Sequence, residues 1–216
     1  MPARPLPLPA LLITAAAAAT LGAGCATAPP AGNRIAAPPM GTVTTYHRKS
    51  SGSLGDFDGR VVWTHAAGSW QGRPMVAFGS AQGTSLHDPQ SFALVASLGA
   101  TGQPLASYDP PIDYAWPLQV GKTWTASTTV TQHPAGRTVP LTTTYRVESW
   151  GDVTVPAGTF KAYKLVWSNN FGEVETRWVG VADGIATVKR HVERPATHPQ
   201  GAGVLDAELL SVQAPR

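Results

Sequence analysis

The chain predicts an all-β fold: a single antiparallel domain of about nine to twelve strands, shaped as an open barrel or a sandwich. Three observations carry this expectation. Apolar residues recur with a period of two along most of the sequence. β-Branched and aromatic residues fill those stretches, and clusters of Gly, Pro, Asn and Asp divide them. Past the first 24 residues, only Val204–Val212 has a spacing that a helix would also accept.

The clearest strand is Trp124–Thr131. Trp124, Ala126, Thr128 and Val130 alternate with Thr125, Ser127, Thr129 and Thr131. One face is apolar and the other is hydroxyl, as in a half-buried antiparallel strand. Leu141, Thr143, Tyr145 and Val147 alternate in the same way with Thr142, Thr144, Arg146 and Glu148. Val174, Thr176 and Trp178 alternate with Glu173, Glu175 and Arg177. There the charged series reads as a solvated outer face. Arg60–His65, Pro74–Phe78, Phe92–Leu98, Phe160–Trp167 and Ile185–Val192 follow the same rule less cleanly. Near the C-terminus, Leu205, Leu209 and Val212 fit a helix face, whereas Leu205, Ala207 and Leu209 fit a strand face. A closing strand is the preferred reading.

Turn chemistry separates these runs. Asp56-Phe57-Asp58-Gly59, Gln71-Gly72, Ala100-Thr101-Gly102 and Asn169-Asn170-Phe171-Gly172 all lie between strand-like stretches. Val155-Pro156-Ala157-Gly158 is sharper. Pro156 presets φ at the second turn position and Gly158 suits the fourth, as in a type I turn. Tyr108–Pro117 holds Pro110, Pro111 and Pro117, which predicts an irregular crossover and not a strand. Ser69-Trp70-Gln71-Gly72 resembles Ser149-Trp150-Gly151. This is either a faint duplication or the chance likeness of two strand–turn–strand sequences.

The N-terminus carries an address. Arg4 and the amino group make a short positive region, and an apolar stretch from Leu8 to Leu21 follows. That length suits a secretory signal and falls short of the ~20 residues of a membrane-spanning helix. An ordinary cleavage site at Ala26-Thr27-Ala28 would leave Pro29 first in the product. Leu21-Gly22-Ala23-Gly24-Cys25 resembles the lipobox of bacterial lipoproteins, with the leucine one place further back than usual, and Cys25 is the only cysteine of the chain. The resemblance implies a signal peptide over residues 1–24 and acylation of Cys25. Each buried methylene contributes ~0.8 kcal/mol, so two or more chains hold where one is marginal. Ala26 in place of aspartate implies passage to the outer membrane. Residues 25–40, CATAPPAGNRIAAPPM, read as a lipidated Pro/Ala-rich tether. The β-domain is expected over residues 41–216.

Composition limits the rest. Of 216 residues, 13% are charged, and the formal net charge of +3 falls by one with Arg4. The longest basic clusters are the pairs Arg48-Lys49 and Lys189-Arg190, too little for a nucleic-acid stripe. With one cysteine, and that one at the lipid site, no disulfide staples the domain.

Pro117-Leu118-Gln119-Val120-Gly121-Lys122-Thr123-Trp124 resembles a P-L-x-V-G-x-x-W pattern, and Val153–Phe160 resembles V-x-V-P-A-G-T-F. Both look like segments of uncharacterised bacterial envelope β-proteins, including the DUF3108-like and TapB-like groups. Trp178–Lys189 is similar to their W-x-x-P-x-V-G-x-V-K segment but lacks the proline. The resemblance spans roughly residues 108–192 and implies fold; it brings no catalytic residues with it.

No catalytic constellation emerges. The six histidines, His47, His65, His87, His133, His191 and His198, include no short metal-ligand spacing, and no metal or other cofactor is expected. Asp56 and Asp58 fit an aspartate-rich turn without a calcium ion. Glu173 and Glu175 share a strand face, which glycosidase chemistry does not use. Gly52-Ser53-Leu54-Gly55 lacks the strand-to-helix setting of a nucleophile elbow. The seven tryptophans are the unusual surplus. Four or five are expected in the core, with Trp116 and Trp150 the better candidates for contact with a ligand or partner.

The expectation is therefore a non-enzymatic lipoprotein of the bacterial envelope. It is held in the outer membrane through Cys25 and faces the periplasm, or the cell surface. It binds an apolar ligand or an envelope protein. A structural or assembly lipoprotein without a small ligand, and an envelope hydrolase, are the rival readings.

Overall fold

A computed structural model describes residues 34, 35, 37–181 and 185–215. Cys25, the signal and most of the tether lie outside the described residues. The elements are β1 (Val43–Gly52), β2 (Phe57–Trp70), β3 (Arg73–Ser80), β4 (Gly83–His87), β5 (Leu94–Gly99), β6 (Pro104–Ile112), β7 (Thr123–Gln132), β8 (Arg137–Val155), β9 (Gly158–Asn169), β10 (Val174–Gly180), β11 (Lys189–Arg194) and β12 (Gly203–Gln213). Each strand pairs antiparallel with the next, and β12 returns to pair with β1, closing the sheet into a barrel. Twelve strands sit at the top of the expected range, and of barrel and sandwich the barrel forms, closed on itself. Closure satisfies the N–H and C=O groups that an edge strand would leave open.

The alternation read from the sequence places the faces correctly on β7 and β8. Thr125, Ser127 and Thr129 are exposed, while Trp124, Ala126 and Val130 are half-buried. Tyr145 and Val147 are buried. The C-terminal segment is the closing strand, not a helix. Ser149-Trp150-Gly151 does not repeat Ser69–Gly72. Gln71-Gly72 forms a two-residue turn with φ of 50° and 77°, whereas Trp150 lies inside the 19-residue strand β8.

Two further expectations are corrected. Residues 108–112 are not irregular but complete β6, where Asp109 pairs with Thr129 and Ile112 with Leu94. The prolines are accommodated by a register break on the β5 side. The crossover proper is shorter, covering residues 113–122. On β10 the facing is opposite to the sequence reading. Glu175 is only 4% exposed, while Val174 is 38% exposed. The charged series points into the barrel.

Two residues of the stretch read as a tether, Ile35 and Pro39, touch the barrel. Ile35 is buried with Leu118, Val147, Tyr163, Leu165 and Val179 in the main apolar cluster. His65 Nδ1 bonds the Pro39 carbonyl at 2.9 Å, which fixes the entering chain against β2.

Both sequence motifs serve closure. The 113–122 crossover brings Tyr114, Trp116 and Leu118 against the main cluster. The Tyr163 hydroxyl donates to the Leu118 carbonyl at 3.0 Å. Lys122 Nζ ties the crossover to itself through the carbonyls of Ala115 and Pro117. The Pro156 turn docks against β12. There the Ala157 N–H donates to the Leu209 carbonyl at 3.1 Å. Val155 and Ala162 pack with Ile185, Val188 and Leu209.

Candidate functional site

Cross-strand register shows how the interior is built, because directly paired residues share a face. One transverse row runs Arg48, Ala207, Arg190, Arg177, Leu165, Val147 across β1, β12, β11, β10, β9 and β8. The neighbouring row runs Ser50, Leu205, Val192, Glu175, Trp167, Tyr145, Trp124. The first row is basic on one side of the barrel and aliphatic on the other. The second carries one carboxylate beside three contiguous aromatic rings.

Glu175 joins the rows. Its Oε1 accepts from Arg177 Nη2 at 2.6 Å and from Arg177 Nε at 2.8 Å, and its Oε2 accepts from Arg190 Nη2 at 2.8 Å. Burial opposes the charge of Arg177, but the Glu175 carboxylate and the Tyr114 hydroxyl outweigh it and hold the guanidinium above the ordinary arginine range. That guanidinium also lies 4.9 Å from the Trp167 ring centroid, a cation–π contact. Glu173 is taken by Arg194 Nε at 2.5 Å. Glu173 and Glu175 are thus structural partners of arginines. Both oxygens of Glu175 are occupied, so the pair does not present an acid and a base to a substrate.

The aromatic wall is continuous. Trp124 stacks on Tyr145 at 4.7 Å and 5°. Tyr145 lies 5.6 Å from Trp167, and Tyr114 lies 6.2 Å from each of Tyr145 and Trp167. Burial pushes the Tyr145 hydroxyl up to about 12 and raises that of Tyr114 as well. Between this wall, the arginines and the β4–β5 side is a cavity of about 390 Å³. Ile35, His87, Phe92, Trp116 and Ala186 contribute to its lining. A second cavity of about 250 Å³ lies beside Trp124 and Ala126 and shares Ile112, Tyr114, Thr143 and Tyr145 with the first.

His87 closes the first cavity on the side away from β10. It sits between Phe78 and Phe92, at 5.4 and 5.0 Å ring to ring. Nδ1 bonds the Phe92 carbonyl at 3.0 Å and Nε2 bonds Ser85 Oγ at 3.2 Å. The Phe92 carbonyl can only accept, so Nδ1 donates; in the neutral imidazole Nε2 is then left to accept from the serine hydroxyl. Burial pulls its pKa down to about 4.

The two tryptophans singled out from the sequence part company here. Trp116 lines the cavity, and its Nε1 donates to Asp113 Oδ1 at 3.3 Å. Trp150 is not part of the lining. It packs on Tyr163 at 4.4 Å, and its buried Nε1 has no partner. All seven tryptophans are half-buried, and Trp70, Trp116, Trp124, Trp150, Trp167 and Trp178 pack against the apolar clusters. The fully buried large side chains are Tyr163 and a set of Leu and Val residues. A wide indole reaches across a barrel wall and keeps one edge at a cavity or at solvent.

The residues that sequence reasoning missed are Tyr114, Tyr145, Trp167, Glu175, Arg177, Arg190 and His87 as one lining. A signal for it exists in β11. Lys189, His191 and Glu193 stand on one face and Arg190, Val192 and Arg194 on the other. With charge on both faces, a strand of a closed barrel must turn one charged face inward. Among the described residues, no group of three or more His, Cys, Asp or Glu side chains converges to hold a metal ion. Asp56 and Asp58 diverge, one accepting from the Gly52 N–H and the other pairing with His47.

No family model and no curated protein match the chain. Three solved structures are similar over 84% of it. One is a Bacteroides fragilis protein described as exported and YmcC-like in fold, with TM-score 0.46, 13% identity and 99% of its own chain covered. Another is a Parabacteroides distasonis protein described as a lipoprotein, with TM-score 0.42, 12% identity and 99% coverage. The third is the hypothetical lipoprotein YmcC of Escherichia coli, with TM-score 0.38, 14% identity and 88% coverage.

Proposed function

We propose that this chain is a non-enzymatic lipoprotein of the bacterial envelope whose barrel takes up a small ligand with an apolar or aromatic body. The lipobox-like sequence ending at Cys25 supports the anchor, and Ala26 supports an outer-membrane address facing the periplasm. The observation that carries the binding reading is the cavity of about 390 Å³ inside the barrel, walled by Tyr114, Tyr145, Trp116 and Trp167. Binding sites of small molecules are concave, of this order of size, and mostly apolar with a few fixed polar groups. The occupied carboxylates of Glu173 and Glu175 favour binding over hydrolysis.

An assembly role rests on a different observation. An open groove of about 570 Å³ crosses β2–β4, lined by Val62, Ala66, Gly68, Gly79 and Thr84. Small side chains there leave room for a partner's backbone.

Two measurements test the proposal. Intact-mass analysis of the mature protein should give a chain beginning at acylated Cys25; an unlipidated chain beginning elsewhere overturns the anchor. Calorimetric titration of the full chain in detergent with 2-naphthylmethanol, against a micelle blank, should show saturable binding. Thr143→Trp, placed in the wall common to both cavities, should abolish that binding at a stability cost of ~1–3 kcal/mol from overpacking. No saturable binding of this alcohol or of its anionic naphthalene analogues to the wild type, or undiminished binding to a folded Thr143→Trp variant, overturns the ligand reading and leaves the groove as the functional surface.

A further inference from the structure

We infer that the ligand carries an anionic group, a carboxylate or a phosphate, and that Arg48, Arg190 and Arg177 form its subsite inside the barrel. This rests on the ligand-binding reading above and specifies its chemistry. The geometry comes from register. Arg48 on β1, Arg190 on β11 and Arg177 on β10 occupy one interior row, interrupted only by Ala207 on β12. Alanine at the intervening position leaves the space between the long side chains open. The three side chains therefore stand on one face of the wall, with Arg177 and Arg190 lining the cavity and Arg48 near enough for the charge of Arg190 to act on it.

Their compensation is incomplete. Among the described residues, Glu175 is the only carboxylate paired with this row, and it serves both Arg177 and Arg190. Glu173 is bound to Arg194. Asp113 stands on the crossover, hydrogen-bonded to the Tyr114 N–H and Trp116 Nε1, and its charged neighbours are Arg34 and Asp88. Arg48 has no acidic partner among the described residues. Its Nη1 donates to Gln82 Oε1 at 2.8 Å and its Nη2 to the Leu54 carbonyl at 2.9 Å. The buried Nε atoms of both Arg48 and Arg190 have no hydrogen-bond acceptor. Burial, and then the like charge of Arg190, lower the pKa of Arg48. A buried charge without a partner is costly, and so is an unmade hydrogen bond to it. A barrel that holds three cations against one anion is stabilised by any ligand that brings the missing negative charge.

The shape of the site adds direction. The arginine row lies beside the row of Glu175, Trp167, Tyr145 and Trp124. A ligand with its anionic end on the guanidinium groups lays its body along the rings. Carboxylates and phosphates both accept the parallel N–H pairs that a guanidinium offers, so the shared chemistry is an oxyanion on an aromatic or apolar body.

The test titrates the full chain in detergent with three probes of one body: 2-naphthoate, 2-naphthyl phosphate and neutral 2-naphthylmethanol. The anions should bind about tenfold or more tighter than the alcohol, as charge-assisted hydrogen bonds require. Whichever anion binds tighter identifies the carboxylate or phosphate class. Equal binding of all three overturns the anion subsite while leaving the ligand-binding reading intact; no binding of any probe overturns both. Arg48→Gln and Arg190→Gln, checked for folding by thermal melts, should each erase most of the anion preference, and a preference unchanged in both folded variants overturns the assignment. If either variant fails to fold, phenylglyoxal modification of the wild type decides. With 2-naphthyl phosphate bound, mass spectrometry should find Arg48 and Arg190 protected; protection confined to other arginines overturns the subsite.

Discussion

Gly158 is required for its backbone and not for its small size. Its φ is +132°, a value that side-chain-bearing residues rarely adopt, and a Cβ built there meets only Phe160 Cε2, at 4.0 Å. Space is available and the conformation is not. Gly158→Ala and Gly158→Val should therefore each destabilise by about 1–3 kcal/mol, with little difference between them. Denaturant melts of both variants check this. A neutral alanine with a costly valine would mean crowding, not backbone strain. The sequence located this residue, since Val-Pro-Ala-Gly between two strand patterns is a local signal. It could not separate the two reasons for a glycine, because that distinction depends on φ and on what surrounds the turn.

β10 tests the opposite case, an element whose position was legible and whose facing was not. Val174, Thr176 and Trp178 against Glu173, Glu175 and Arg177 would normally turn the first set inward, because burying charge is expensive. The cost is met here by Arg177, Arg190 and Arg194, two of which come from the next strand. Arg177 lies within β10, but the partners from β11 are non-local and have no signature in β10 itself. Glu175→Ala should thus cost about 3–5 kcal/mol, since it leaves two guanidinium groups buried without a carboxylate. Val174→Ala should stay within about 0.5 kcal/mol. Urea melts that rank the two the other way would restore the charged face to solvent. β7 and β8 show the contrary situation. The polar face of β7 holds only hydroxyls, and that of β8 keeps its charged pair, Arg146 and Glu148, on the outer surface, so alternation alone placed Trp124, Tyr145 and Val147 correctly.

The molecule as a whole is stabilised above the acid range by a neutral His87. An ordinary histidine titrates near 6.5, and burial lowers this one to about 4 in the folded state. The unfolded chain takes up the proton first, so the contribution is complete above about pH 6.5 and is lost as pH falls toward 4. The loss is up to roughly 3 kcal/mol. His191 works in the other direction, since Glu193 and Asp206 raise its pKa, and its contribution is present in acid and lost as pH rises. Comparing wild type with His87→Gln at each pH isolates the first effect. Melting midpoints that fall in parallel for the two proteins between pH 6.5 and 4 would refute it. The closure that buries His87 also restricts how such a molecule can change size. Neighbouring strands run in opposite directions all the way round, and β12 must oppose β1. A ring of that kind has an even count, so one strand cannot be gained or lost alone without leaving two neighbours parallel. Descendants of this chain can widen or narrow the lumen only by whole hairpins, and the volume open to a ligand would evolve in steps, not by gradual dilation.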